Sequence, residues 1–226
     1  MNGGASGQER NYGVDALRCL SMWLIVCLHI INRGGALPAD RLAGLLLYPL
    51  RILGSAAVNM YALISGYVTL KGRFRPARVM ELWLQVLVMN VVLGLVGNLI
   101  WPGIMDRDFW IRYLFPFTQK AFWYFTAYVG VYALSPVINR GVSALSRRQA
   151  VCAIWLLLLV FSLGSFLGYG KQGDPFYIGS GYSVLWLLVL YVVGACVRRS
   201  DFLAHTTWWM LLLYLLGVLL FITCFW

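Results

Sequence analysis

Long apolar stretches alternate with short polar breaks along the whole chain. Seven of them, 14–32, 47–70, 79–101, 120–138, 150–168, 181–197 and 207–226, are candidates for spanning helices, since crossing the hydrocarbon layer takes roughly 20 mostly apolar residues. All seven are too apolar for surface helices, which need a polar face. The breaks carry turn chemistry: Asn32-Arg33-Gly34-Gly35 with Pro38, Lys71-Gly72-Arg73, Trp101-Pro102-Gly103, Asn139-Arg140-Gly141, Gly170 to Pro175, and Arg198-Arg199-Ser200-Asp201. Each break is short, so neighbouring helices run antiparallel. The pattern predicts an all-α, polytopic transmembrane bundle of about seven spanning helices, forming one domain over residues 1–226 with a polar tail at 1–13.

Composition supports lipid as the main solvent. Hydrophobic residues make up 61% of the 226 residues, charged residues 12%, and the mean hydropathy is +0.76. A soluble domain does not hide that much apolar surface. The formal charge of +10 does not point to nucleic acid, because the basic residues fall in short clusters between apolar segments. With the N-terminus in the cytoplasm, that side holds Arg10, Arg18, Lys71, Arg73, Arg75, Arg78, Arg140, Arg147, Arg148, Arg198 and Arg199. The other side holds Arg33, Arg41, Arg51, Arg107, Arg112, Lys120 and Lys171. The bias favours a cytoplasmic N-terminus. The first eleven residues lack a signal-peptide cleavage pattern, so the first apolar run is expected to be retained. Five cysteines lie scattered in apolar segments without a C-x-x-C pair, so no metal site is expected. Residues 104–119, aromatic and mixed in charge, suit an interfacial or re-entrant piece on the outer side.

The few polar groups inside apolar segments carry the candidate chemistry, because a charge at membrane depth costs about 2.5–3.5 kcal/mol on insertion scales. Arg18 and His29 are eleven residues apart, three helical turns or roughly 16 Å, and share a face. Asp15, one turn before Arg18, can hold its guanidinium; an ordinary helix-end ion pair accounts for that pair equally well. An imidazole is suited to take a proton from a hydroxyl at neutral pH. Glu81 follows Arg78 by one turn and reads as its interfacial partner. Asn59, Ser65 and Tyr67 in the second span serve either as interhelical hydrogen-bonding groups or as the lining of a polar passage. The loop Lys71-Gly-Arg-Phe-Arg-Pro-Ala-Arg78 is the densest basic cluster. Topology alone explains such a loop. Alternatively Arg75 and Arg78, astride a helix start with Pro76 in its first turn, converge on a phosphate-bearing ligand such as an acyl-CoA.

These same residues carry a family resemblance. Val14-Asp15-Ala16-Leu17-Arg18 followed by His29 resembles the opening signature of the acyltransferase 3 family, integral-membrane O-acyltransferases of surface polysaccharides. Val58 to Tyr67, ending in Ser65-Gly66-Tyr67, is similar to the family's aromatic-rich helix, with Met60 where the family often has Phe. Arg75-Pro-Ala-Arg78 is similar to its paired loop arginines, and Phe122-Trp123-Tyr124 running to Ser135-Pro136 resembles its Trp-Phe/Tyr-Leu helix. The four elements occur in family order over about residues 10 to 140. Family members usually have more membrane helices, and the last apolar run stops at Trp226 without a polar tail, so a C-terminally truncated chain is expected.

The resemblance implies transfer of an acyl group, with acetyl the expected one, from acyl-CoA to a hydroxyl of a cell-surface glycan or lipid-linked sugar. It implies a bacterial inner membrane setting, acyl-CoA as donor substrate and no bound cofactor. His29 would be the catalytic base or acyl carrier, and Arg18 would orient donor or intermediate. Arg75 and Arg78 would grip the donor phosphates. Asn59, Tyr67, Trp123 and Tyr124 would line the acyl or acceptor passage. The competing readings are a transporter or flippase-like protein, in which intramembrane polar groups mark a substrate path, and an inactive fragment. A transporter of that kind would show Gly/Pro-broken helices at matching positions of two repeats, and no such pair occurs.

Overall fold

The computed structural model describes residues 11–34, 41–72, 74–103, 105–115, 122–163, 176–177 and 181–201, with the side chains of 41–46, 112, 113 and 163 left aside. Every regular element among these residues is helical: α1 (Tyr12–Arg33), α2 (Arg41–Thr69), α3 (Ala77–Ile100), the short α4 (Arg107–Leu114), α5 (Trp123–Ala144), α6 (Arg147–Leu158) and α7 (Val184–Ser200). A π-helical turn, Leu159–Leu163, continues α6. Side chains start the helices by taking backbone N–H groups that have no intrahelical partner. Asn11 accepts from Val14 N at 3.2 Å, Asp106 from Phe109 N at 2.7 Å and Ser183 from Trp186 N at 3.1 Å. Ser146 and Gln149 form a reciprocal capping box at the start of α6. α7 ends on Asp201 in the left-handed conformation, φ 52°, a common way to stop a helix.

Three described helices are long and apolar enough to cross a membrane: Tyr12–Arg33, Leu47–Thr69 and Ala77–Ile100. They match the first three expected spans. Large hydrophobic side chains along α3, among them Val88, Leu93, Val96 and Leu99, are exposed, which water would penalise and lipid does not. The chain is a membrane protein. One expected break is corrected. The helix expected to end before Asn139-Arg140-Gly141 runs on to Ala144. A Cβ at Gly141 would meet nothing within 4 Å, so this glycine is an exposed interior residue costing about 1 kcal/mol, too little to end a packed helix. The actual stop is the Ser146 cap two residues beyond. The expected span at 207–226 and the break at Gly170 to Pro175 lie outside the described residues.

α7 is the central helix. Leu187, Val189, Leu190, Tyr191, Val193, Ala195 and Cys196 are all buried, the pattern of a helix enclosed on every side. It packs against α2, α5 and α6. Gly66 on α2 abuts the Tyr191 backbone, and Gly194 on α7 abuts Leu63 of α2. The two glycines let the backbones touch, the usual device for close helix crossings in membranes. A ring of hydrogen bonds ties the same region to α5. The Thr69 and Tyr191 hydroxyls lie 2.6 Å apart, Tyr191 Oη donates to Asn139 Oδ1 at 3.0 Å, and Asn139 Nδ2 donates to the Thr69 carbonyl at 3.0 Å. α1 lies antiparallel to α2: Tyr61 Oη donates to the Arg18 carbonyl at 3.0 Å, while Gly54 faces Leu28 further along. The starts of α1, α3 and α6 and the ends of α2, α5 and α7 thus gather at one end of the bundle, rich in arginine.

Candidate donor and acyl-transfer site

At the basic end, the segment leaving α2 folds back on α5. Tyr132 anchors it: its hydroxyl accepts from Arg75 N at 3.0 Å and donates to the Arg75 carbonyl at 3.1 Å. The Phe74 ring stacks on Tyr132 at 5.1 Å between centroids. Tyr132 is itself buried, so the loop is fixed to a rigid part of the bundle. Arg75 and Arg78 then stand on either side of the α3 start. They enclose, with Arg18 of α1, a cavity of about 420 Å³. The rest of its wall mixes polar groups, Ser65 and Thr69 from α2 and Tyr128, Tyr132, Ser135 and Asn139 from α5, with Val68, Gly72, Phe74 and Pro136.

The charge balance of this cavity favours an anion. Asp15 Oδ1 lies 3.7 Å from Arg18 Nη1. Glu81 Oε1 accepts from Arg75 Nη2 at 3.2 Å, and its other oxygen is 3.9 Å from Arg78 Nη1. The side chains of Arg75 and Arg78 are 66% and 53% exposed. Ion pairs so wet contribute about 0–1 kcal/mol, and the guanidiniums can turn toward a stronger phosphate acceptor with little loss. The N-terminus of the 24-residue α3 adds its own positive end at the same place.

The other expected residues are distributed along the bundle. His29 lies on α1 three turns beyond Arg18, at the opposite end, and is exposed; it does not line the cavity. Tyr67 faces α7, where Arg198 Nη1 donates to its hydroxyl at 2.9 Å and the guanidinium sits 5.0 Å from the ring centroid. Trp123, at the start of α5, meets Tyr124 and Tyr182 edge-on at 5.6 and 5.4 Å. Asn59 borders Gly181, in contact distance of the position a Cβ would take there, and so does Trp186 Nε1. Asn59 Oδ1 and Trp186 Nε1 are buried without a hydrogen-bond partner among the described residues.

The cavity therefore brings together Arg18, Arg75 and Arg78 and leaves His29, Asn59, Tyr67, Trp123 and Tyr124 elsewhere. It also adds residues that sequence reading passed over. Tyr128, Tyr132, Ser135 and Asn139 follow one another at spacings of four, three and four, the stripe of one helix face. That polar stripe within an apolar helix was the available signal.

These features define a membrane-embedded helical protein with an anion-receptive cavity at its basic end. The family model of the acyltransferase 3 type, described as an acyltransferase domain, matches residues 11–226. The chain belongs to the acyltransferase 3 family. No curated relative and no solved structure matches it.

Proposed function

We propose that this protein moves an acyl group, acetyl in the expected case, from acyl-CoA to a hydroxyl of a cell-surface glycan or lipid-linked sugar. The observation that carries the reading is the cavity lined by Arg18, Arg75 and Arg78, with His29 three turns further along the helix that bears Arg18. A ligand with phosphates at one end and a thioester on a long flexible arm suits that separation. Its phosphates rest among the guanidiniums and its thioester reaches toward the histidine. His29 takes the proton of the acceptor hydroxyl as the oxygen attacks the thioester carbonyl, and CoA leaves as the thiol. In the other order, His29 first accepts the acyl group and passes it to the hydroxyl. Asn59, Trp123 and Tyr124, toward the far half of the bundle, line the passage for the acyl group or acceptor, and Tyr67 braces it through Arg198.

This assignment places the N-terminus and the donor cavity in the cytoplasm of a bacterial cell, where acyl-CoA is made, with the acceptor at or beyond the inner membrane. The positive-inside distribution of arginines supports that orientation. The test is transfer of label from radiolabelled acetyl-CoA into glycan or lipid-linked material by membranes carrying this chain. Incorporation above that of membranes without the chain supports the reading. Equal incorporation in both contradicts it.

A further inference from the structure

A second cavity, of about 340 Å³, opens at the same basic end, lined by Leu70, Lys71, Ser143, Arg147, Arg198, Arg199 and Asp201. It shares no residue with the larger cavity. Four cations and one carboxylate face it, and that carboxylate is engaged: Arg147 Nη2 and Asp201 Oδ2 are 3.0 Å apart. The remaining arginines are held by uncharged groups. Arg198 donates to the Tyr67 hydroxyl at 2.9 Å, and Arg199 Nε to the Ser143 carbonyl at 3.3 Å. Both are half-buried. Arg147 is the first residue of α6, a 12-residue helix capped at Ser146, so the positive end of that helix borders the cavity as well.

A basic loop that serves only topology spreads its side chains into water, each free of its neighbours. Here the guanidiniums are pinned around one concavity by a phenol and a carbonyl, which orient them without neutralising them. Neutral partners leave their charge to be met by a ligand. Guanidinium forks suit a tetrahedral oxyanion; Arg147 stands at the start of α6, and Arg198 and Arg199 stand in the last turn of α7. We propose that this cavity binds one phosphate group, carried either by an anionic phospholipid headgroup at the membrane surface or by a soluble phosphate compound. Basic pockets between membrane helices are where lipid headgroups bind. None of its residues lines the donor cavity; Arg198 is shared with the acyl-transfer reading through its bond to Tyr67, and the substitutions below leave it in place.

The test has two arms. In the first, protein reconstituted into phosphatidylcholine nanodiscs with and without phosphatidylglycerol is released and its retained lipid counted by native mass spectrometry. In the second, thermal unfolding in neutral detergent is followed as inorganic phosphate replaces sodium chloride at constant ionic strength. Lys71→Gln and Arg199→Gln are compared with the unaltered chain and with Arg75→Gln, and each variant's unfolding without ligand shows that it folds. Retained phosphatidylglycerol lost in Lys71→Gln and Arg199→Gln, but kept in Arg75→Gln, identifies a lipid headgroup. A phosphate-dependent rise in unfolding temperature with the same dependence identifies a soluble phosphate. The inference is overturned if neither arm responds to the Lys71 and Arg199 substitutions, or if Arg75→Gln abolishes the response equally.

Discussion

Gly66 of α2 and Tyr191 of α7 meet backbone to backbone: a Cβ built on the glycine falls on the Tyr191 carbonyl oxygen. Four residues of helix carry two consequences of that contact. It brings Thr69, one turn on, within reach of the Tyr191 hydroxyl, and it leaves Tyr67 beside Arg198. The Ser65-Gly66-Tyr67 triplet thus works as a unit: Ser65 faces the cavity lined by Arg18, Arg75 and Arg78, Gly66 permits the crossing and Tyr67 holds the neighbouring helix.

Gly66→Ala and Gly194→Ala are expected to destabilise the bundle, because in each the added methyl group collides with backbone, not with a flexible side-chain end. Overpacking of this kind costs typically about 1–3 kcal/mol. Gly141→Ala is the matched control: its Cβ meets nothing within 4 Å, and replacing a helical glycine gains up to about 1 kcal/mol. Thermal unfolding in detergent checks the contrast, with lowered midpoints for the first two and an unchanged or raised one for the third.

Asn139→Ala opens the ring that joins α2, α5 and α7. The buried Tyr191 hydroxyl then keeps only Thr69, and the Thr69 carbonyl loses its side-chain donor. A loss of about 1–3 kcal/mol is expected. In a double-mutant cycle with Tyr191→Phe the two losses should sum to more than the loss in the double variant, since both substitutions remove the same bond.

Tyr132→Phe keeps the ring that stacks on Phe74 and removes the hydroxyl that holds both backbone groups of Arg75. The loop arginines lose their fixed position, not their charge. Steady-state kinetics should show a raised KM for acyl-CoA with a smaller change in kcat, and loss of both hydrogen bonds limits the effect to about 1–3 kcal/mol.

Arg75→Gln and Arg78→Gln remove charge directly. A hydrogen bond to a charged group contributes about 1.5–3 kcal/mol, so each substitution should weaken CoA binding roughly tenfold or more. Binding of the unaltered chain should fall with rising salt, and the slope should be shallower in the variants. Isothermal titration with CoA at two salt concentrations reads both effects.

The fold was legible where a local signal was strong. α1 gives way at Gly34, and α3 starts after Pro76 and ends just before Pro102, residues whose chemistry starts or stops a helix. The end of α5 was misplaced because Gly141 resembles a breaker, yet a single interior glycine is a weak signal. Ser146-Arg-Arg-Gln149, a capping-box pattern, held the better information. In the site, Arg18, Arg75 and Arg78 were visible as charges in an apolar chain. Tyr128 and Tyr132 were not, because aromatic residues in a membrane helix ordinarily signify packing. The Tyr67–Arg198 contact joins residues 131 apart, and no local pattern announces it.

The central claim is that donor capture and acyl transfer occupy different places, the first among Arg18, Arg75 and Arg78, the second at His29. The most direct measurement is made on His29→Ala protein, titrating CoA binding and following acetyl incorporation from radiolabelled acetyl-CoA into glycan or lipid-linked material. The account predicts CoA affinity within about twofold of the unaltered chain, less than 0.5 kcal/mol, together with loss of incorporation. Incorporation that persists without the imidazole would contradict it.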